Sequence, residues 1–348
     1  MAVRIAVDAM GGQDGPATVV RGALLAAASD QTIVLVVVGD ETQIGEALEQ
    51  ADTPAVSERV EIVHSPGDAG PDESPPLVPP ASGGTSAEAS SRTQEGAVIT
   101  LAKLGACRDV AAVVCTGEVG AAVAACELKM KPLECVAQAG LAAVIPSFSG
   151  PVVLCDAGAN IQAKPEHVYE YGVMAALYAR RLLGIKQPRV SLLSGGEQGE
   201  SDTRLLDQAG SLLQDDQAVD FVGRVAPRDL FRDRCDVVAC DGFAGNIVVR
   251  LLEGLAAGVF RTISREIEDE DPQTRVQLAA TLDRIRSEHE DGQYGGAPLL
   301  GVDGVAVMCR DRVNERTVHN AVVLAKRLVD EGFNQAIAER FGAQLLQD

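Results

Sequence analysis

Short aliphatic runs recur along the chain: VRIAVD (3–8), IVLVVVGD (33–40), VEIVHS (60–65), VAAVVCTG (110–117), VVLCDAG (152–158), VSLLSGG (190–196), DFVGRV (220–225), CDVVACDG (235–242) and GVAVMC (304–309). Most are continuously apolar rather than alternating, the pattern of strands covered on both faces. Between many of them apolar positions repeat at helical spacing. This predicts helices over 16–29, 41–50, 94–105, 118–130, 166–184, 202–214, 245–268 and 314–341. The alternation predicts an α/β protein with a largely parallel, doubly wound sheet. A length of 348 residues allows two domains or one large unit; the continuous alternation is read here as one unit over 1–348.

Two segments break the pattern. Residues 66–93, PGDAGPDESPPLVPPASGGTSAEASSRT, are rich in Pro, Gly and Ser and read as a loop excursion or lid. Residues 264–294 are charged, with a narrow apolar stripe at Val276, Ala279, Leu282 and Ile285, and read as a surface helix pair or arm.

Composition narrows the function. Apolar residues make up 46 % of the chain and aromatics only 3 %, so the core must be aliphatic. The net charge of −20 excludes the basic stripe that bare nucleic acid requires. Eight cysteines form no C-x-x-C pair, and several sit inside apolar runs. They read as buried, reduced thiols, which favours the cytosol. The amino terminus reads as a first strand, and no linear apolar run approaches ~18 residues, so no membrane span is expected.

The residues after the strands are uniform in character: DAMGG (8–12), CTGEVG (115–120), CDAGAN (155–160), SGGEQGE (194–200) and CDGFAGN (240–246). Glycine lets the backbone approach a ligand, and the following helix presents unpaired N–H groups that favour an anion. Ordinary turn and helix-cap chemistry gives the same pattern. Asp156 and Asp241 share one context and read either as caps or as catalytic groups. No G-x-G-x-x-G follows a strand, and the P-loop and G-x-S-x-G patterns are missing. The four histidines show no metal-ligand spacing, so no metal and no cofactor is expected. The stretch YGGAPLLGVDGVAVM (294–308) reads as a Gly-rich entry, a turn and a strand, either structural or a backbone cradle.

Four motifs in this order, IAVDAMGGQDGP, VLCDAGANIQAKPEHV, CDGFAGNIVVR and YGGAPLLGVDGVAVM, resemble the bacterial phosphate acyltransferases of phospholipid synthesis. The resemblance runs from Ala2 to about Phe341. It implies a three-layer α/β/α fold similar to that of isocitrate and isopropylmalate dehydrogenases and of phosphotransacetylase. It further implies a homodimer in the cytoplasm with peripheral membrane association. The implied reaction moves a fatty acyl group from acyl-acyl-carrier protein to inorganic phosphate, without nucleotide or metal. Phosphate is a nucleophile at neutral pH and a thiol of pKa ~8.5 can leave, so the protein must chiefly hold a dianion and stabilise an oxyanion. On this basis Lys164 is expected to hold phosphate. Asn160 and Asn246 are expected to donate to phosphate or oxyanion, Asp8 and Asp241 to orient donors, and His167 to transfer a proton. Gly11, Gly12, Gly117, Gly158, Gly242, Gly245 and Gly296 are expected to line the phosphate site.

The chain also departs from that family. The family carries a basic segment before the helix at 95–105, where this chain has PPASGGTSAEASSRTQ with Arg92 alone. Cys115-Thr116-Gly117-Glu118-Val119-Gly120 replaces Ala-Gly-Asn-Thr-Gly, and a glutamate there opposes an anion unless it turns away or is paired. These departures keep open a phosphotransacetylase-like use of acyl-coenzyme A, or a relative that binds an acyl ligand without turnover.

Overall fold

A computed structural model describes residues 2–11, 15–51, 53, 56, 58–65, 96–147, 150–195, 203–289, 294–309 and 313–345. The strands are β1 (Val3–Asp8), β2 (Ile33–Gly39), β3 (Val60–His64), β4 (Ala112–Cys115), β5 (Gly140–Ile145), β6 (Val152–Cys155), β7 (Arg189–Leu193), β8 (Asp220–Val225), β9 (Val237–Ala239), β10 (Ala297–Leu300) and β11 (Val305–Met308). The helices are α1 (Pro16–Ser29), α2 (Glu41–Ala51), α3 (Ala97–Ala106), α4 (Val119–Lys129), α5 (Pro165–Leu182), α6 (Thr203–Asp215), α7 (Gly242–Glu268), α8 (Pro272–His289), α9 (Glu315–Asp330) and α10 (Phe333–Leu345).

Where the sequence reads as one unit, the chain packs as two compact ones, Met1–Ala139 with Tyr294–Asp348, and Gly140–Gln293. Linear alternation does not reveal which strands share a core, and the chain leaves the first unit before β5 and re-enters it before β10. In the first unit the strand order is β3-β2-β1-β4-β11-β10, parallel except for β10 against β11. Helix α1 packs on α9 and α3 on α4, with α3 and α9 both contacting β1 and β4. The core is aliphatic: Ile5, Leu35, Leu101, Val113 and Val322 are fully buried or nearly so. In the second unit the order is β5-β6-β9-β7-β8, with only β5 antiparallel to its neighbour. Helix α5 covers β6, β7 and β9 and packs on α6, while α7 contacts β5 and β6.

The parallel α/β reading holds for every strand expected. Two strands escape it. β5 is GLAAVI, whose alanines give no β-branched density, and β10 is APLL, whose Pro298 and flanking glycines read as a turn. The helix expected over 314–341 breaks in two at Gly332, which adopts φ +55°. Helix α7 extends to the arm expected at 264–294 and packs on α8. Of the stripe foreseen on α8, Leu282 is buried while Val276 and Ile285 are exposed. Helix α7 is also long and apolar enough to cross a membrane by length and composition. Arg250 and Glu253 interrupt its apolar run, so the linear reading does not single it out. All eight cysteines are free and six are buried, as the sequence suggests. The 66–93 excursion and Gly12 lie outside the described residues, as does most of the 194–200 loop.

Two glycines fix how α7 meets β6. A Cβ at Gly245 would lie 1.8 Å from the Asp156 carbonyl oxygen, and one at Gly242 would lie 2.5 Å from that of Asn160. Neither backbone atom can yield without moving the loop. Gly45, inside α2, has nothing within 4 Å of such a Cβ. Gly245→Ala is therefore expected to destabilise the fold by at least ~2 kcal/mol. Gly45→Ala should stabilise it by ~0.5–1 kcal/mol. Urea unfolding of both variants checks this; equal midpoints would sink the packing argument.

Candidate active site

At the end of β6 the chain turns around one side chain. Asp156 is fully buried. Its Oδ1 accepts from the backbone N–H groups of Leu141 (3.0 Å), Gly158 (3.0 Å) and Ala159 (2.9 Å). Its Oδ2 accepts from the Asn160 backbone at 2.7 Å and from Asn160 Nδ2 at 3.2 Å. Burial holds the carboxyl above the usual carboxylate range, an upward push that the backbone N–H groups of Ala159, Gly158, Leu141 and Asn160 only partly offset. The amides of the CDAGAN loop thus face an internal carboxylate and not an incoming anion.

This changes the expected role of Asn160. Its side-chain nitrogen donates to Asp156 and also to Tyr171 Oη, at 2.9 Å. Both amide hydrogens are engaged inside the protein, so Asn160 is not arranged to donate to phosphate. Its carbonyl instead accepts the Gly242 N–H at 2.8 Å, joining the loop to the start of α7.

The α7 amino terminus is capped by Asp241, whose Oδ1 accepts the Ala244 N–H at 3.0 Å. With Gly242 bonded to Asn160 and Gly245 to the Asp241 carbonyl, the Phe243 N–H is left without an acceptor among the described residues. Asn246 follows on the exposed side, and Gly158 sits against it: a Cβ there would lie 3.3 Å from Asn246 Cβ. The Asn246 amide makes no hydrogen bond within the described residues. Asn160, Asp241, Gly242, Gly245, Asn246 and Gly158 are therefore one cluster at the carboxyl ends of β6 and β9, the edge where open α/β sheets bind ligands.

Lys164 is the residue before α5, exposed, and without an ion pair among the described residues. Its backbone N–H donates to His167 Nδ1 at 3.3 Å, a reciprocal half of a capping box. That bond places the proton of the neutral ring on Nε2. Partial burial, then the Lys164 ammonium, hold His167 below the ordinary imidazole value.

The first unit builds a separate cluster. Asp8 is fully buried at the end of β1; its Oδ1 accepts the Met10 N–H at 2.9 Å and its carbonyl accepts Thr116 Oγ1 at 2.7 Å. Gly11 and Gly117 touch so closely that a Cβ on Gly11 would lie 2.1 Å from Gly117 N. Glu118 turns back onto its own helix, its carboxylate accepting from Gly120 N–H (2.9 Å) and Ala121 N–H (2.6 Å). This resolves the opposed charge foreseen there: the glutamate is an N-cap. Gly296, at φ +93°, packs under the Met308 carbonyl and serves the β10–β11 turn. Three buried thiols stand nearby. Cys126 and burial push Cys115 well up, and burial with Asp8 pushes Cys309 up to about 12. Neither is a thiolate at neutral pH. Clefts within single units, such as that lined by Arg4, Arg108 and Asp303, lie at the amino ends of strands, away from these loops.

Sequence reasoning missed Tyr171 and the capping role of Glu118. The signal for Tyr171 was its i, i+4 spacing from His167 on one helix face; nothing in the linear pattern marks Glu118 as turned inward.

Comparison with known proteins gives the same direction over nearly the full chain. The family model described as "Fatty acid synthesis protein" matches residues 3–336. A phosphate acyltransferase of Nitratidesulfovibrio vulgaris is 35 % identical over 337 residues, 96 % of this chain and 94 % of the relative. One from Moorella thermoacetica is 34 % identical over 344 residues, 98 % and 96 % of the two chains. Among solved structures, a phosphotransacetylase from Streptococcus pyogenes superimposes with TM-score 0.60 at 12 % identity, covering 95 % and 94 %. A branched-chain phosphotransacylase from Enterococcus faecalis gives 0.54 at 14 %, covering 94 % and 99 %. These share the fold.

The coupling of Lys164 to His167 is directly measurable. Lys164→Met removes a positive neighbour and should raise the His167 pKa, extending its protonated range upward in pH. Proton NMR titration of the imidazole reads this; an unchanged or lower pKa would contradict the local geometry.

Proposed function

The chain belongs to the phosphate acyltransferase family of fatty acid synthesis proteins, and from that premise we propose that it moves a fatty acyl group from the thioester of an acyl-carrier protein to inorganic phosphate, for phospholipid synthesis. As an acyltransferase it needs a nucleophile, an acyl carbonyl and a leaving thiol in one place. Hydrogen phosphate attacks the carbonyl carbon, the thiolate leaves, and the phosphate proton ends on the thiol. The products are acyl-phosphate and the free carrier thiol, with charge balanced throughout.

The observation that carries this reading is Lys164, an exposed ammonium with no carboxylate partner among the described residues, at the start of α5. Four residues after Asn160, beside the Gly-rich loop at the end of β6, such a cation suits a dianion. We assign it to phosphate. Asn246 and the Phe243 N–H are assigned to the phosphate or the oxyanion, since both have hydrogens to give. Asp241 and Asp8 shape their loops as caps, and Gly158, Gly242 and Gly245 permit the close packing. Gly11 and Gly117 do the same for the first unit's cluster. His167, neutral at pH 7, offers Nε2–H as a donor.

We further propose a cytoplasmic homodimer, associated with the membrane only peripherally. Eight free cysteines support the compartment. The dimer is supported by α7, where Phe243, Ile247, Leu251, Leu255, Val259 and Ile263 recur every four residues and are 40–66 % exposed. Such a ridge suits 4-4 packing against a second copy.

The test is thiol release from acyl-acyl-carrier protein. Release should depend on phosphate and fall about a hundredfold or more in kcat/KM for phosphate with Lys164→Ala. Release only from acyl-coenzyme A would move the chain to a phosphotransacetylase-like role, and binding without turnover would make it non-catalytic. Light scattering tests the assembly: a dimer that becomes monomeric with Leu255→Asp is expected, and a wild-type monomer refutes it.

A further inference from the structure

The groups assigned to phosphate sit on two separate pieces of chain, the start of α5 and the first turn of α7, and one buried phenol touches the loop that links them. Tyr171 is fully buried in α5, seven residues after Lys164 and four after His167, so it lies on the same helix face. Its ring fills the space above Gly140, where a Cβ would lie 2.6 Å from it. Its oxygen accepts Asn160 Nδ2 at 2.9 Å. Asn160 holds Asp156 through both its backbone and its side chain, and its carbonyl holds Gly242, the first residue of α7. The path from Lys164 on α5 to Asn246 on α7 therefore runs through Tyr171, Asn160 and Gly242.

We propose that Tyr171 is a positioning residue for the phosphate site: its phenol oxygen locks the Asn160 amide in one orientation and so fixes the start of α7 relative to the Lys164 end of α5. An amide has two flip states that differ by exchanging donor and acceptor. The Asp156 carboxylate accepts only and so selects the state with nitrogen facing it, and the phenol oxygen, by accepting the second hydrogen of that nitrogen, strengthens the selection. Removing the oxygen weakens that selection without removing the ring that fills the core. Tyr171 touches no substrate; it acts through Asn160 on the Phe243 N–H and the Asn246 amide. This inference rests on the assignment of those groups to phosphate.

The experiment uses the full chain with Tyr171→Phe, alone and combined with Asn160→Ala. Four readouts separate the possibilities. Hydrogen exchange of the Gly242 and Ala244 amides should quicken in Tyr171→Phe, while the thermal unfolding profile stays close to wild type. Inorganic phosphate affinity by titration calorimetry should fall about tenfold, the scale of one lost hydrogen bond. The KM for the acyl thioester should not change. In the Asn160→Ala background the tyrosine change should add nothing, because the group it acts through is gone. Unchanged amide exchange overturns the proposal, as does quicker exchange with unaltered phosphate affinity, and so does a multiplicative double variant. If the wild type turns over no acyl thioester, the acyl-transfer reading fails, and phosphate affinity and exchange still decide the role of Tyr171.

Discussion

The second unit depends on one fully buried carboxyl group being met by the chain's own N–H groups. Asp156 is fully buried, and an isolated buried carboxylate would cost many kcal/mol or be neutralised. Five N–H donors meet it. To supply four of them from a run of five residues the chain must curl tightly, and Gly158 takes φ +132° to do so. The curl brings the Asp156 and Asn160 carbonyls outward, where α7 presses on them so closely that positions 242 and 245 have no room for a Cβ. The position of α7, and of every group on its first turn, thus follows from satisfying this carboxyl group.

The same device recurs at the other strand ends. Asp8 takes the Met10 amide, Glu118 takes two amides of α4, and Asp241 takes one of α7. Gly-rich loops before helices look like anion cradles, and here they are cradles whose anion is a side chain of the chain itself. The consequence for chemistry is a division of labour. Internal carboxylates shape the loops, and the groups proposed for an external dianion are among those they leave over: Lys164, the Asn246 amide and the Phe243 N–H.

This division explains what could be read from the sequence. Strand and helix positions were legible because they depend on periodicity, and failures came where periodicity was weak: the alanines of β5, the proline of β10, the glycine dividing α9 from α10. The motif CDAGAN was legible as a turn carrying polar groups, and Lys164 as the cation beside it. The direction in which Asn160 points was not. Donor and acceptor on an amide are set by whichever partners the fold brings to it, and those partners, Asp156 and Tyr171, lie four residues before and eleven after it. The division into two units was hidden for a similar reason, since the segment returning at Tyr294 carries no local mark of which sheet it joins.

A chain with net charge −20 that binds a dianion is less paradoxical once distance is considered. Five acidic residues are concentrated in EIEDEDP at the end of α7, starting 20 residues along the helix from Asn246, about 30 Å away. The Debye length at physiological salt is ~8 Å, so those charges act on the approach of an anion far more than on its bound state. Close to the loops the balance differs. Asp156 and Asp241 are each met by amide N–H groups, which reduces their repulsion of a ligand, while Lys164 has no ion pair among the described residues and depresses His167 beside it. On the proposed assignment, affinity is then set by the few groups within hydrogen-bonding reach, with Lys164 the nearest cation in sequence to the CDAGAN loop.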